Sequence, residues 1–261
     1  ETHNLSRIGS RAQTDNHVAY LPLVSANFLH TTASRYYTST AFLYNYWLGC
    51  KQGKDWPDQA SGVIILDFGQ PWHDGNSYGA NLWPYPFPFQ SIDEIETAVR
   101  GYVVGFVNCA ITQQSHQKWA NVYIAAGVNN VGQQVGAGHG AAWAQMVNRL
   151  NQFLASQSAT PRIRARGAID AEPLFGPASA AIQWADGYSS AFQGDSLYYN
   201  FGSCDACPSV FYPNWIPENS WTLSDVYHVS WGATAALPFP DIYATDGINA
   251  WQWQYVTLWS Y

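Results

Sequence analysis

Hydrophobic and polar positions follow no clear period over the first sixty residues, and then begin to alternate between two. From Gly62 the run Val63-Ile64-Ile65-Leu66 is continuously apolar and β-branched, the pattern of a strand covered on both faces. Ser91 and Glu94 stand at the spacing of a capping box. Behind them Ile95, Val99, Tyr102, Val103, Phe106 and Val107 recur at helical intervals, which predicts an amphipathic helix over 91–109. The cycle then repeats. A strand is expected over Val122–Val128, followed by a helix from near His139 with Trp143, Met146, Val147, Leu150 and Leu154 on one face. A third strand is expected over Ile163–Ile169, a helix over Ser179–Phe192, and further strands over Leu197–Phe201, Tyr227–Trp231 and Ala250–Val256.

Strands alternating with helices predict βαβ units and a mostly parallel sheet. Burial on both faces, a length of 261 residues and the lack of a Gly-x-Gly-x-x-Gly or Walker loop favour a closed barrel over a nucleotide-binding sheet. The expected fold is therefore α/β, an irregular TIM-type (β/α) barrel with fewer than eight complete βα units. Residues 1–61, with a strand around Val18–Val24 and a short apolar aromatic stretch over Ser39–Leu48, read as an N-terminal arm packed on a single barrel unit formed by 62–261.

Composition narrows the partners. The formal net charge is −7, with Lys+Arg 11 against Asp+Glu 18, which argues against nucleic acid or an anionic membrane surface. No apolar run approaches the length of a membrane span. Low charge, 13 Trp, 17 Tyr and a start at Glu1 fit an extracellular chain, secreted or at the cell surface, whose targeting segment has been removed or that simply begins here. Four cysteines, an even count, suggest two disulfides, Cys204 with Cys207 as a local staple and Cys50 with Cys109. A lone Cys-x-x-Cys without clustered histidines is weak evidence for zinc, and neither metal nor cofactor is expected. His73-Asp74 lacks a metal-binding pattern, and His139 in Gly-His-Gly reads as a structural contact.

The candidate chemistry lies in Ile169-Asp170-Ala171-Glu172-Pro173. Residues at i and i+2 leave a strand on one face, so two carboxylates that repel each other point into one space. Hydrolysis of a glycosidic bond needs that pairing, one acid protonated and one ionised. Active sites of such barrels lie at the C-terminal ends of the strands. Asp67 joins the pair there as a third catalytic candidate. Asn129, Asn200, Trp231, Trp251 and Gln252 are candidates for substrate binding, amides for hydroxyls and indoles for sugar faces. The aromatic loop Trp83–Phe89 reads as a sugar-stacking lip or a lid over the core. Arg164 and Arg166 share the nominal face of the acids. They neighbour the dyad on an unbroken strand, or are turned away by a bulge near Gly167.

Three motifs in order resemble the GH25 lysozyme-like group of secreted glycosidase barrels. Ile65-Leu66-Asp67-Phe68-Gly69-Gln70 is similar to its first strand, Ile169-Asp170-Ala171-Glu172 to its Asp-x-Glu strand end, and Ala250-Trp251-Gln252-Trp253 to its Trp-Gln-aromatic last strand. The resemblance implies Glu172 as general acid, with Asp170 and Asp67 orienting or stabilising the acetamido group and the cationic intermediate. It also implies a β-1,4-linked peptidoglycan-type glycan as substrate. The expected function is a secreted glycoside hydrolase acting on a polysaccharide or oligosaccharide. The alternative is a non-catalytic carbohydrate-binding or surface-structural protein on a degenerate barrel.

Overall fold

In the computed structural model, residues 30–36, 39–83, 88–111, 118–132, 136–157 and 162–260 are described. The β-branched runs form a parallel sheet of six strands. These are β1 (His30–Tyr36), β2 (Ala60–Asp67), β6 (Trp119–Asn129), β7 (Ile163–Asp170), β8 (Tyr198–Asn200) and β9 (Ala236–Pro238), neighbouring one another in chain order. Between β2 and β6 the chain adds a small antiparallel sheet of β3 (Gln70–His73), β4 (Tyr78–Asn81) and β5 (Phe89–Ser91). Among the described residues there are six α-helices: α1 (Phe42–Asp55), α2 (Ile92–Cys109), α3 (Ala137–Ser156), α4 (Ala178–Ala191), α5 (Leu223–Tyr227) and α6 (Ile248–Trp259).

The sheet is buried on both faces, as its continuous apolar strands require. On one face Ile64, Leu66, Val122, Ile124, Ala126, Val128 and Ile169 pack with side chains of α2, α3, α4 and α6 in the main core. On the other, Ile65, Ala125, Ala168, Tyr199 and Phe201 make a smaller cluster. Helices gathered on one face and strands in chain order give an α/β fold with a mostly parallel central sheet. Among the described residues β1 and β9 are the two ends of that sheet.

The predicted helix over 91–109 begins where expected. Ser91 and Glu94 exchange both bonds of the capping box, and the acids Asp93 and Glu94 lie in the first turn, where the helix dipole favours them. Helix α1 had no helical signature because the face it buries is Asn45, Gly49 and Gly53, while Leu43 and Trp47 point outward. Those glycines meet α2 backbone to backbone. A Cβ on Gly49 would lie 2.0 Å from Tyr102 O, and one on Gly105 1.9 Å from Tyr46 O. The Cys50–Cys109 disulfide ties the same two helices, and Cys204–Cys207 closes the local staple, both as the sequence suggests. Gly105→Ala forces the helices apart and is expected to cost about 3 kcal/mol, lowering Tm by roughly 10 °C in thermal unfolding. An unchanged Tm would mean that the α1–α2 crossing yields freely.

Two expected strands are helices. Tyr227–Trp231 spans the end of α5 and a π-type turn over His228–Gly232, because Thr222 and Asp225 form a capping box that starts a helix ahead of the β-prone residues. Ala250–Val256 lies inside α6. There the aromatic residues Trp251, Trp253 and Tyr255 alternate like a strand, but the buried set is Asn249, Gln252, Trp253 and Val256, which is helical spacing with a half-polar face. The Trp-Gln-aromatic motif is therefore not a last strand, and that carrier of the lysozyme-like resemblance falls away. The strand expected around Val18–Val24 and residues 84–87 of the aromatic loop lie outside the described residues.

Candidate active site

The C-terminal ends of β2, β6, β7 and β8 all reach one end of the sheet, and each carries a polar residue there. Asp67 ends β2, Asn129 and Asp170 end β6 and β7 directly opposite each other in register, and Asn200 ends β8. Asp67 and Asp170 project from the same face as Ile65 and Ala168, the face away from the helices. Asp67 lies deepest, 1% exposed, with Asp170 at 7% and Glu172, two residues past the strand end, at 8%.

Local structure explains why these acids hold their places. Phe68 N–H donates to Gly127 O and Asn129 N–H to Gly69 O, lacing the end of β2 to β6. Gly69 turns the chain there at φ +87°, a conformation glycine adopts without steric cost, and its N–H donates to Asp67 Oδ1 at 2.7 Å. The other oxygen, Oδ2, is buried with no hydrogen-bond partner among the described residues. Beyond β7, the Asn130 side chain pairs with the Glu172 backbone as a strand would, accepting from its N–H and donating to its carbonyl, both at 3.0 Å. Asn200 Oδ1 accepts from Ala171 N–H and Gly202 N–H, each 3.2 Å, while its Nδ2 donates to Ser230 Oγ. Glu172 Oε1 then accepts from Ser203 N–H at 3.0 Å.

The loop after β8 adds groups that the sequence reading passed over. Ser203 Oγ donates to Asp205 Oδ1 at 2.9 Å, and Asp205 Oδ2 is buried without a hydrogen-bond partner among the described residues. Asp241, in the loop after β9, donates its N–H to Gly202 O. Tyr243, in the same loop as Asp241, is largely exposed. A short polar run after a β-strand, Gly202-Ser203-Cys204-Asp205, was the one signal that could have drawn attention to this loop.

Five carboxylates thus lie toward one end of the sheet, and Asp170 feels the charge of the other four. Burial, then the charges of Asp67, Glu172, Asp241 and Asp205, holds the Asp170 carboxyl well above the usual range. Burial pushes Asp67 up to about 7, against the lowering effect of the Gly69 hydrogen bond. Glu172 and Asp241 are raised as well, burial again the largest cause, while the Ser203 N–H partly counteracts it for Glu172. None of the five is in an ion pair among the described residues. Near neutral pH the cluster therefore retains protons that ordinary carboxylates would have lost.

Arg166 does share the face of Asp170, and the β6–β7 register runs unbroken through Gly167. Four residues of strand, about 13 Å, separate the two. At that opposite end Arg166 donates to Asp195 and lies over the rings of Tyr123 and Tyr199, so it leaves the acids unpaired. His139 is buried and structural: Nε2 donates to Gly79 O, Nδ1 accepts from Trp184 Nε1, and burial lowers its pKa to about 4. His73 and Asp74 belong to a turn closed by Gly75, Asn76 and Ser77 N–H groups. Among the described residues no group of three or more His, Cys, Asp or Glu side chains could hold a metal ion.

The remaining predicted site residues serve the scaffold around the acids. Asn129 Oδ1 accepts from Val131 N–H in its own turn. Trp231 lies in the π-type turn, stacked on Tyr227 and edge-on to Trp253. Gln252 is buried and donates to Cys207 O, and Trp251 meets Phe211 at 4.4 Å between centroids, so both dock α6 onto the loop that carries Ser203 and Asp205. That loop exposes Phe211, Tyr212 and Trp215, the last two stacked at 4.4 Å with 12° between planes.

No protein-family model, curated protein or solved structure matches this chain.

Proposed function

We propose that this chain is an extracellular glycoside hydrolase acting on a polysaccharide, with its site at the mouth of a partial (β/α) barrel. The observation that carries the reading is the convergence of Asp67, Asp170 and Glu172 at the C-terminal end of the parallel sheet. They have raised pKa values and no cation pairs with them among the described residues. Glycosidic bonds are cleaved by acids in that state, one protonated to serve the leaving oxygen and another ionised to support positive charge at the anomeric carbon. Glu172 is the general acid in this scheme. It lies beyond the strand end, and its Oε1 is oriented by Ser203 N–H, leaving Oε2 for the substrate. Asp170 and Asp67 lie beneath it and serve the developing oxocarbenium charge or an acetamido group. The resemblance of the Asp67 and Asp170–Glu172 strand ends to lysozyme-like glycosidases supports the same assignment and points to cell-wall glycan. Two disulfides are consistent with an oxidising, extracellular setting.

A second reading, carbohydrate binding without catalysis, is favoured by the exposed rings of Phe211, Tyr212, Trp215 and Tyr243 on the loops around the acids. Release of reducing ends from peptidoglycan, chitin and plant glycans separates the two. Soluble products from at least one glycan are expected. A protein that binds such a glycan, loses about tenfold affinity in Trp215→Ala and releases no product is a binding module.

A further inference from the structure

The end of the sheet opposite the acids gathers charge of the other sign. The chain carries only 11 Lys and Arg, and three of them, Arg162, Arg164 and Arg166, fall within five positions at the start of β7. Arg162, Arg164, Tyr123, Asn121 and Asp195 line a cavity of about 200 Å³ there. Tyr123 stands opposite Arg164 in the β6–β7 register, on the face of the sheet away from the helices. Arg166 lies behind that lining. Its guanidinium carbon is 4.8 Å from the centroid of the Tyr123 ring, and its Nη2 donates to Asp195 Oδ1 at 2.7 Å. Both contacts are with residues that line the cavity, so the side chain is directed at it. Arg166 is 5% exposed, and its Nε and Nη1 have no hydrogen-bond partner among the described residues.

We propose that this cavity is an oxyanion site that binds a phosphate group, either the free ion or an ester on a larger molecule. Guanidinium groups stay ionised throughout the working pH range, and their forks present paired N–H donors that match phosphate oxygens. Arg162 is exposed at the cavity and makes no ion pair among the described residues, so it is open to an incoming anion. Asp195 is the one lining residue that would repel such an anion, and Arg166 already holds its carboxylate from behind. Tyr123 and Asn121 add a hydroxyl and an amide to the lining. The cavity is smaller than the roughly 300–1,000 Å³ of pockets for drug-sized ligands, which suits a single anionic group. Arg166 and Asp170 lie about 13 Å apart along β7, so the site stands clear of the candidate acids and does not depend on the glycosidase reading.

The test is isothermal titration of the full chain with inorganic phosphate and with glucose 6-phosphate, glucose serving as the uncharged control. Neutral pH and about 0.15 M salt screen diffuse attraction between the ligand and distant charges. Saturable binding of at least one of the two phosphates is expected, with a Kd of about 1 mM or tighter. Arg162→Gln should weaken it about tenfold, the loss of a charge-assisted contact. The side chain is exposed, so the variant should keep the wild-type Tm. Asp195→Asn keeps an oxygen for Arg166 Nη2 but removes the competing charge, and should tighten binding severalfold. Tighter binding of glucose 6-phosphate than of phosphate identifies an ester as the occupant, and the reverse order identifies the free ion. No saturable binding at that strength, equal affinity in Arg162→Gln, or weaker binding in Asp195→Asn overturns the proposal.

Discussion

Glu172→Gln is expected to lower glycan turnover by about 10³-fold while leaving the fold intact. The amide has the shape of the carboxyl group and still accepts from Ser203 N–H, and the backbone bonds to Asn130 do not involve the side chain. What it loses is the proton. Glu172 is raised above the usual range by burial and by the charges of Asp205 and Asp241, so the wild-type acid is protonated at pH values where an exposed glutamate is ionised. Wild-type activity should decline as pH rises through that raised pKa. The variant should lose this limb of the profile together with its rate. Circular dichroism and Tm close to wild type establish that folding is unaffected. Full turnover on a substrate the wild type cleaves would remove Glu172 from the chemistry.

Asp67→Asn is expected to do the opposite to stability. Folding lifts the Asp67 pKa from 3.8 to about 7, so between those values the native state holds a proton that the unfolded chain releases. Stability contributed at this residue therefore falls as pH rises through the window, and the full penalty is present above pH 7. Asparagine keeps an oxygen for Gly69 N–H and has no charge to bury. The gain over wild type should be near zero at pH 4, grow towards pH 7 and then level off, with a ceiling of about 4 kcal/mol. Raised pKa values at Asp170, Glu172 and Asp241 act in the same sense and make the wild type more stable in mild acid than at pH 8. His139 works against them. Its pKa falls to about 4, so the unfolded chain binds more protons between there and 6.5, and its contribution is lost as pH drops through that range. Four acids against one imidazole decide the sign. Thermal unfolding from pH 4 to pH 8 measures it, and activity should fall in Asp67→Asn even as Tm rises. A variant less stable than wild type at pH 8 would show that the Asp67 charge is compensated.

The regular part of the fold was legible because its signals are local. Strands β2, β6 and β7 announce themselves as β-branched runs buried on both faces, and α2 by a capping box ahead of a 3.6-residue stripe. Where the signal is not local, reading fails in a consistent way. Helix α1 buries glycines, which carry no hydrophobicity, and α6 buries Asn249 and Gln252 while its aromatics alternate. In both, what makes the face buried is a neighbour: the backbone of α2 for one, the Cys207 carbonyl for the other. The substrate-binding candidates show the same limit. Asn200 stands at a strand end as expected, yet its amide is committed to the backbone of Ala171 and Gly202, a role visible only once β7 and β8 lie side by side.

By itself the sequence determined the α/β alternation, the Cys204–Cys207 staple and the position of Asp67 and Asp170 at strand ends with Glu172 just beyond, since each follows from residues close together or from the strict two-residue period of a strand; Cys50 and Cys109, 59 residues apart, were the pair left over. The tertiary structure decided that those acids lie toward one end of the sheet, where Asp170 also feels the charges of Asp205 and Asp241. It also decided that Arg166, on the very strand of Asp170, is too distant to neutralise any of them. Charge interactions depend on separation and burial, and neither is written in the order of the residues.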